Sequence, residues 1–512
     1  MNEMVRQGGV QGIAGDICAL FRANRVAFFS LFLLYAIGIF ALLRSNTLYI
    51  NDTARVFHDG LFFSVVGRYL AEWLGSLLFV SYSDLSPLTQ LGGVACIAAA
   101  GIFFCAALFR RKVRMGQVFC CLPLALSPYF LQNISYKYDS LFMSLAVLCV
   151  AAAFYVLVRH GSGWQAQMVA CVLFFCSLGL YQGMCNLYFF ALAFWMIRDL
   201  LEGKGWWAML WRCLRTLPAL AVALGVYKLS LHFVELNSYS REHGLMLPLQ
   251  SMALGVWNNM QDSLAYIYFD WNSNSYGYIM ALAVLCMLLA YAAKAGRLAL
   301  PLGQRIVRFL AAAALFGLSC CAVLGLTLLL KNIVLQPRVY VGVGFIMSMI
   351  LLYTLRYSRA LCCLCRMCSV GVIAIALSYC MGFASLYGNA LSWQNDYEDI
   401  IYAHLLPEVK SYCQQFNTNR ICFIGSMPRS PLLPSVEAKY PILNKLVKVS
   451  MEGASWHTPR ALEANGVSRQ LHRAFKENID LTSVRLLSST PYYSIGVNND
   501  SILVLNFTKD DS

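Results

Sequence analysis

Charged residues are scarce in this chain. Asp, Glu, Lys and Arg make up 12% of its 512 residues, whereas a soluble domain carries roughly 25%. Hydrophobic residues make up 59% of the sequence, and the mean hydropathy is +0.60. The deficit of charge excludes an ordinary soluble domain, and the long apolar runs predict a polytopic α-helical membrane protein.

Acidic residues are scarcer than basic ones, at 25 against 39, which gives a net charge of +14. In a soluble protein that excess would suggest a nucleic-acid partner. Here the basic residues cluster at the ends of the apolar runs, where they orient membrane helices. We therefore expect contact with membrane lipid and no nucleic acid.

Patterns typical of metal sites are missing as well. Most of the 20 cysteines lie inside apolar runs, where Cys behaves as a small hydrophobic residue. The cluster from Cys362 to Cys368 lacks a second pair of zinc ligands, and no acidic cluster resembles a magnesium site. The sequence therefore predicts neither a metal nor a cofactor. Cys413 and Cys422 could form a disulfide in an oxidising compartment or remain two free thiols.

Apolar runs of about 17–25 residues are long enough to cross a bilayer. The first run is followed by further runs and not by a small-residue cleavage site, so we expect a span and not a removed signal peptide. The runs predict about eleven transmembrane helices, at residues 26–44, 88–109, 116–133, 141–158, 165–181, 184–198, 214–236, 276–294, 307–330, 339–355 and 367–388.

The connections between these runs alternate in basic content. One set is rich in Arg and Lys, as in Arg110-Arg111-Lys112, whereas the alternate set is poor in them. The positive-inside rule places the richer set in the cytoplasm of a bacterial inner membrane. The N-terminus is then cytoplasmic, and an odd number of spans puts everything after residue 388 in the periplasm.

Composition changes after residue 388, where the chain becomes more polar. Residues 420–425 are typical of a buried strand that enters a turn, and residues 501–507 of a second strand. We therefore expect two domains, a transmembrane module at 1–388 and a small periplasmic α/β domain at 389–512. The first outer loop of the module, residues 45–87, contains an amphipathic stretch that predicts an interfacial helix.

Polar residues gather at the predicted outer face. Such residues are costly at membrane depth and are functional candidates by default, although a helix cap, a snorkelling side chain, a bridge between helices or a boundary ion pair would account for any one of them. Together they predict a polar cavity that opens outward. The candidates are Asn51, Asp52, Arg55, Asp59, Arg68, Tyr136, Lys137, Asp139, Tyr181, Gln182 and Arg338.

At these positions the sequence resembles the GtrII-type O-antigen glucosyltransferases of bacterial serotype conversion. The resemblance covers most of the chain and depends on several short motifs in a fixed order. They are Asn51-Asp52 followed by Arg55, Gly67-Arg68, Asp84-Leu85-Ser86-Pro87, Tyr136-Lys137-Tyr138-Asp139-Ser140, Tyr181-Gln182, Asn395-Asp396-Tyr397 and the strand at 420–425.

The resemblance implies a GT-C-like fold, in which the first outer loop bears an essential acid. It also implies an undecaprenyl-phosphate-linked sugar donor and a lipid-linked O-antigen acceptor, both at the periplasmic face. The family commonly shows two adjacent acids after the first span, but Asn51 replaces the first one here. Asp52 is therefore the leading candidate for the general base, followed by Asp139 and then Asp59.

The remaining candidates suit substrate binding. The leaving group would be a polyprenyl phosphate, an anion that arginine recognises through paired hydrogen bonds. The basic candidates for this contact are Arg55, Arg68, Lys137 and Arg338, and the neutral substrate-binding candidates are Asn51, Tyr136, Tyr181 and Gln182.

Two other functions share this composition. A lipid-linked oligosaccharide flippase or transporter often shows internal repeats and charges in the middle of its spans, whereas the ionisable residues here collect at span ends. An O-antigen polymerase or ligase also works at the periplasmic face, but without polyprenyl-phosphate glucose. The identity of the sugar stays open, because galactose or N-acetylglucosamine fits the sequence equally well.

The predicted orientation can be tested by labelling two introduced thiols after the native cysteines have been replaced. A Ser501→Cys variant is expected to react with a membrane-impermeant maleimide in spheroplasts. The matched Arg111→Cys variant lies in a predicted cytoplasmic connection and should react only after permeabilisation. Labelling of position 111 alone in intact spheroplasts would contradict the orientation.

Overall fold

The computed structural model describes residues 10–508 except 59, 79–82, 162, 272–274, 454–457, 468–470, 475 and 477–478. The described residues are mostly helical, and a small five-stranded sheet lies near the C-terminus. This confirms the coarse prediction of a helical protein with a small C-terminal sheet.

The chain forms two compact units. Unit 1 comprises residues up to Phe40, Phe62–Leu78 and Leu85–Ser385, and unit 2 comprises mainly Ala41–Leu61 and Leu386–Ser512.

Helices account for nearly all regular structure before residue 415. They are connected by short turns, several of which form one turn of 3₁₀ helix. In chain order they are α1 (Val10–Ala23), α2 (Arg25–Gly38), α3 (Phe40–Ser45), α4 (Asp52–His58), α5 (Tyr69–Leu78), α6 (Leu88–Leu108), α7 (Met115–Cys120), α8 (Pro123–Leu126), α9 (Pro128–Ser135), α10 (Ser140–His160), α11 (Trp164–Leu180), α12 (Asn186–Leu201), α13 (Trp206–Leu214), α14 (Leu217–Ser230), α15 (Ser238–His243), α16 (Met252–Trp271), α17 (Ser275–Gly296), α18 (Leu302–Cys321), α19 (Val341–Tyr357) and α20 (Cys363–Gln415).

Several of these helices are long and apolar enough to cross a membrane. Among the described residues eight qualify, and up to ten do if each of two bent pairs counts as one span. The bent pairs are α1 with α2 and the helices of Met115–Leu126 with α9, and α11 is a shorter apolar helix. Each predicted span therefore overlaps an apolar helical segment, and the count of eleven spans stays a prediction.

One predicted boundary is wrong. The helix expected at 307–330 ends at Cys321, because the chain then turns and Gly325 adopts a φ of 57° at the start of the 3₁₀ turn Gly325–Leu329. The span predicted at 367–388 forms part of α20, a helix that continues to Gln415. Hydropathy reports the apolar part of a segment, and it detects neither a turn within an apolar run nor a helix that continues into polar sequence.

The bend within the third predicted span has a local cause. Proline disfavours helical backbone in the residue before it, and Ser127 accordingly adopts extended dihedral angles immediately before Pro128. The Ser127 hydroxyl accepts a hydrogen bond from the Phe130 amide at 3.3 Å, so it caps α9. The two helical halves meet at 62°, which directs the polar end of α9 differently from the helix before it.

The centre of unit 1 is the pair α6 and α10, whose inner faces are almost fully buried. Helices inside a membrane gain stability from close van der Waals packing, which small residues permit. Gly93 provides the close approach, since a Cβ atom there would lie 3.1 Å from the Ser140 carbonyl oxygen and 3.0 Å from the Ser144 hydroxyl.

A network of charges joins the ends of several helices on the side predicted to be cytoplasmic. Asp199 is buried and accepts hydrogen bonds from Arg198, Lys204 and Arg212 at 2.7–3.1 Å. Arg198 also donates to the Leu108 carbonyl at the end of α6. These cations therefore satisfy a buried acid and a helix end, which is a structural role in addition to their effect on orientation.

The C-terminal part of unit 2 is built on the sheet. Its strands are β1 (Arg420–Ile424), β2 (His472–Ala474), β3 (Arg485–Ser489), β4 (Ser494–Val497) and β5 (Leu503–Asn506), and short helices α21 (Pro434–Glu437), α22 (Leu443–Leu446) and α23 (Thr458–Ala464) follow β1. The strand order is β2-β1-β5-β4-β3.

The sheet is mixed, since β1 is parallel to β2 and β5, whereas β4 is antiparallel to β3 and β5. Successive strand residues point to opposite faces, so Ile421 and Phe423 pack beneath Ile401 and Leu405 of α20. The predicted strands at 420–425 and 501–507 are confirmed as β1 and β5. Cys413 and Cys422 do not form a disulfide with each other.

Substitution of neighbouring glycines in α6 tests the close approach of the helices. Gly93→Ala should lower the melting temperature of the detergent-solubilised protein, because the Ser140 carbonyl cannot yield, and overpacking costs about 1–3 kcal/mol. Gly92→Ala is the matched control, since a Cβ atom there meets only the end of the Leu141 side chain at 3.2 Å. It should leave stability unchanged or raise it by up to about 1 kcal/mol. Equal effects of the two substitutions would contradict this packing.

Candidate functional site

A buried ion pair lies between the turn after the first outer segment and the start of α10. The Arg68 guanidinium donates to the Asp139 carboxylate at 2.8 Å. The side chain of Asp139 is 4% exposed and that of Arg68 is 15% exposed. The guanidinium also lies 4.3 Å from the centre of the Tyr181 ring, a distance typical of a cation–π contact. Three of the predicted site residues are therefore in contact, with Arg68 between Asp139 and Tyr181.

The turn that carries Arg68 has a backbone that requires glycine. Gly67 has a φ of 76°, a region that L-residues rarely adopt. The Gly67 carbonyl accepts a hydrogen bond from the Tyr227 hydroxyl at 2.9 Å. The Gln182 amide donates to this hydroxyl at 2.7 Å and to the Val66 carbonyl at 3.1 Å. Gln182 thus bridges the turn and α14, so it has the structural role of a bridge that was one alternative for these polar residues. This bridge holds Arg68 in place.

Arg338 is held by the polar end of α9. Its backbone amide donates to the Gln132 side chain at 2.7 Å, and its carbonyl accepts from Asn133 at 3.3 Å. Its guanidinium donates to the Tyr136 hydroxyl at 2.9 Å. Burial lowers the pKa of Arg338, but the phenol oxygens of Tyr136 and Tyr181 and the Asp139 carboxylate raise it by more, so the net direction is upward. The guanidinium is therefore charged at any physiological pH.

Lys137 completes a group that we call the cationic cluster, defined as Arg68, Lys137, Asp139 and Arg338. Lys137 is buried in the same turn as Asp139. The cluster contains three cationic side chains and one carboxylate, so its charge when ionised is positive. Arginine and lysine together are typical of phosphate-binding sites. Such an arrangement is suited to a phosphate group.

The predicted site residues in the first part of the outer loop, before Phe62, belong to unit 2. Asp52 is the first residue of α4 and is fully buried. One of its carboxylate oxygens accepts a hydrogen bond from the Tyr49 amide at 3.2 Å, and the other lies 3.7 Å from the Arg55 guanidinium. Arg55 also donates to the Leu61 carbonyl at 2.9 Å. Asn51, half-buried, precedes the helix, and Asp59 lies outside the described residues.

Several residues that position this group were not among the site residues predicted from the sequence. Gln132 and Asn133 hold the backbone of Arg338, and an adjacent pair of amides at the end of an apolar run is a signal that would have identified them. Tyr227 holds the Gly67 turn, but a tyrosine within a predicted span gives no comparable signal. Glu72 accepts hydrogen bonds from the Phe63 and Ser64 amides at 2.6 and 3.1 Å, which fixes the chain just before that turn.

The structure offers no obvious metal centre in the part of the chain that it describes. No three side chains of His, Cys, Asp or Glu are grouped there so that they would hold a metal ion. The acids named above lie next to arginine or amide donors instead, which is an environment for an anion.

Comparison with known proteins identifies one family model and one phage relative. The family model described as Glucosyl transferase GtrII matches residues 40–349. A protein of Salmonella phage P22, described as an uncharacterized 55.3 kDa protein in the gtrB 5' region, is 22% identical over 501 residues, which covers 94% of this chain and 99% of that protein. No solved structure matches the chain significantly.

The geometry of the Gly67 turn can be tested by comparing two glycines in left-handed turns. A Cβ atom at Gly67 would lie 2.9 Å from the Tyr227 hydroxyl and 3.0 Å from the Gln182 amide, whereas one at Gly466, with a φ of 79°, would meet no described atom within 4 Å. Gly466 follows α23 in a turn where the Val467 amide donates to the Leu462 carbonyl. Gly466→Ala should cost only the backbone strain, about 1–3 kcal/mol. Gly67→Ala should lower the melting temperature further, because it also displaces Gln182 and Tyr227. A smaller effect at Gly67 than at Gly466 would show that the turn is not held as described.

Proposed function

Because this chain belongs to the GtrII glucosyl transferase family, we propose that it is an integral-membrane glucosyltransferase of O-antigen serotype conversion. In this proposal the donor is undecaprenyl-phosphate glucose, the acceptor is lipid-linked O-antigen, and transfer takes place at the periplasmic face of the inner membrane. The fold would then be of the GT-C type. The main structural support is the group of three cationic side chains, half-buried Arg68 and Arg338 and buried Lys137, beside Asp139.

The cationic cluster suits the leaving group of this reaction. As the bond between the sugar and the phosphate breaks, an electron pair moves onto the bridging oxygen and undecaprenyl phosphate gains negative charge. Guanidinium groups stabilise such charge through short, charge-assisted hydrogen bonds, and they do so most strongly where water is excluded. We infer that Arg68 and Arg338 contact the donor phosphate and that Lys137 contributes to the local field.

Asp139 has a supporting role in this proposal. Its carboxylate is engaged by Arg68 at 2.8 Å, and a carboxylate stabilised by an arginine is a weak base. We therefore infer that Asp139 keeps Arg68 oriented and remains the second candidate for proton removal. Tyr136, Tyr181 and Gln182 serve the same cluster, since each contacts Arg68 or Arg338 directly or holds the Gly67 turn.

Asp52 is the proposed general base. An acceptor hydroxyl attacks C1 of the glucose, the C1–O bond to phosphate breaks, and the hydroxyl proton passes to the Asp52 carboxylate. A single displacement of this kind inverts the anomeric centre, so a β-linked donor gives an α-glucoside. The proposal for Asp52 depends on its chemistry and on its place after the first span, where the family commonly shows a pair of acids. Asn51 and Arg55 flank it as proposed substrate contacts.

The overall activity is tested by the composition and linkage of O-antigen in cells with and without this chain. We expect added α-linked glucose only when the chain is present. A polymerase or ligase would change the length or the attachment of O-antigen but add no glucose. A flippase would change the amount of surface O-antigen without altering its composition.

The assignment of the base is tested by Asp52→Asn. Since general-base catalysis contributes about 10²–10⁴-fold, this variant should reduce glucosylation by at least about 100-fold while its level in the membrane stays normal. Asp139→Asn should instead raise the apparent KM for the donor, because the substitution removes the carboxylate that orients Arg68. Normal glucosylation by Asp52→Asn, at equal protein level, would remove Asp52 from the mechanism.

The phosphate assignment is tested by Arg68→Ala and Arg338→Ala. Loss of one hydrogen bond to a charged group costs about 1.5–3 kcal/mol, so each variant should raise the apparent KM for the donor by about 10- to 100-fold. Arg241→Ala is a matched control, because Arg241 is an exposed arginine of a predicted outer loop. Unchanged donor dependence in both Arg68→Ala and Arg338→Ala would contradict the assignment.

A further inference from the structure

The contacts within unit 2 link Asp52 to the C-terminal domain through one residue, Tyr49. The Tyr49 side chain is buried, and its hydroxyl donates a hydrogen bond to the Leu446 carbonyl at 2.7 Å. Its backbone amide donates to the Asp52 carboxylate at 3.2 Å. A continuous series of contacts thus runs from the last residue of α22 to the proposed base, although the two ends are far apart in sequence.

The C-terminal end of this series is firmly held. Leu443, Leu446 and Val447 are fully buried in the core of unit 2. The Val447 carbonyl accepts a hydrogen bond from the Arg429 guanidinium at 3.1 Å. Because the chain on either side of the Leu446 carbonyl is buried, this carbonyl offers Tyr49 a fixed acceptor.

The segment that carries Asp52 has further attachments to the same domain. The Asn395 side chain of α20 donates to the Ser45 carbonyl at 3.2 Å and to the Thr47 hydroxyl at 2.7 Å. Helix α4 packs against α23. The segment Ala41–Leu61, which carries Asp52, therefore folds with the C-terminal domain in unit 2.

The backbone beside Tyr49 needs such support. Ile50 has a φ of 50° and Asn46 has a φ of 48°, and a β-branched residue such as isoleucine is strained in this left-handed region. A conformation of this kind persists only where surrounding contacts impose it, and it is found most often at functional sites. Ile50 directly follows Tyr49, so the bond from Tyr49 to Leu446 lies where the loop requires restraint.

We propose that Tyr49 is a positioning residue through which the C-terminal domain holds the Asp52 carboxylate in its working orientation. This inference depends on the proposed function, in which Asp52 is the general base. It assigns the C-terminal domain a part in catalysis beyond the support of the membrane module. The domain acts on the acid by fixing the loop, and Tyr49 itself does not touch the substrate.

The test compares two tyrosine-to-phenylalanine variants in the full-length protein in membranes. Tyr49→Phe removes only the hydroxyl that bonds to Leu446. Tyr402→Phe is the matched control, because the Tyr402 hydroxyl is hydrogen-bonded to the Ser450 hydroxyl at 2.7 Å within the same unit. Transfer is measured with undecaprenyl-phosphate [14C]glucose and lipid-linked O-antigen at equal levels of membrane-inserted protein.

Tyr49→Phe should lower kcat by about tenfold while both KM values change by less than about twofold. The acidic limb of its pH–rate profile should move to higher pH. A hydrogen bond to a carboxylate lowers its pKa, and a loosened loop weakens the bond from the Tyr49 amide. A merely structural tyrosine would change the amount of folded protein but would not move this limb, so Tyr402→Phe should keep the wild-type profile.

The outcomes separate this inference from the proposed function. If Asp52→Asn is inactive but Tyr49→Phe matches Tyr402→Phe in kcat and pH profile, the positioning role is wrong and the base assignment stands. If Asp52→Asn is fully active, the base assignment is wrong and the positioning role fails with it. If Tyr49→Phe does not accumulate, Asn395→Ala, which loosens the same loop at Ser45 and Thr47, should show the same kcat loss and pH shift, and a wild-type profile would overturn the inference.

Discussion

A charge that leaves water needs a partner, because an uncompensated buried charge costs several kcal/mol. This constraint governs the few charged residues that the chain buries. Asp199 meets it with three cations and thereby joins the ends of helices. Asp139 meets it with Arg68. The cations of the two groups differ in their other contacts. Arg198 also donates to a carbonyl at a helix end. Arg68 lies against the Tyr181 ring, and Arg338 donates to the Tyr136 hydroxyl. In the proposed function, this second arrangement binds an anion.

Much of the architecture could be predicted from the sequence. Apolar runs located the helical segments, and the shift in composition near residue 388 located the small sheet, because both signals follow from burial of apolar side chains. The polar motifs around Arg68, Tyr136, Asp139, Tyr181 and Arg338 were also expected to lie on one face, and the structure brings these residues together within unit 1.

Other features could not be predicted from the same signals. Hydropathy does not detect the Ser127-Pro128 bend or the continuation of α20 to Gln415, since both depend on backbone geometry more than on apolarity. The association of Asp52 with the C-terminal domain was missed because it depends on tertiary hydrogen bonds such as that from Tyr49 to Leu446. Periodicity and spacing describe local structure, and they carry no information about contacts between segments several hundred residues apart.

The division of the chain into two units gives the acidic loop an unexpected context. Residues 41–61 follow the first helices in sequence but fold with the domain at the other end of the chain. A loop of this kind would be poorly ordered alone, because fixing each residue costs about 1–2 kcal/mol of conformational entropy. Its hydrogen bonds with Leu446 and Asn395 and its packing against α23 offset that cost.

The central claim is that the chain takes glucose from a polyprenyl phosphate. It is tested most directly with washed membranes that contain the protein and lipid-linked O-antigen. Undecaprenyl-phosphate [14C]glucose and nucleotide-linked [14C]glucose are supplied separately, and label in O-antigen is measured. The account predicts transfer from the polyprenyl donor alone, and only when the chain is present. Transfer from the nucleotide sugar without any polyprenyl intermediate, or equal labelling without the chain, would contradict it.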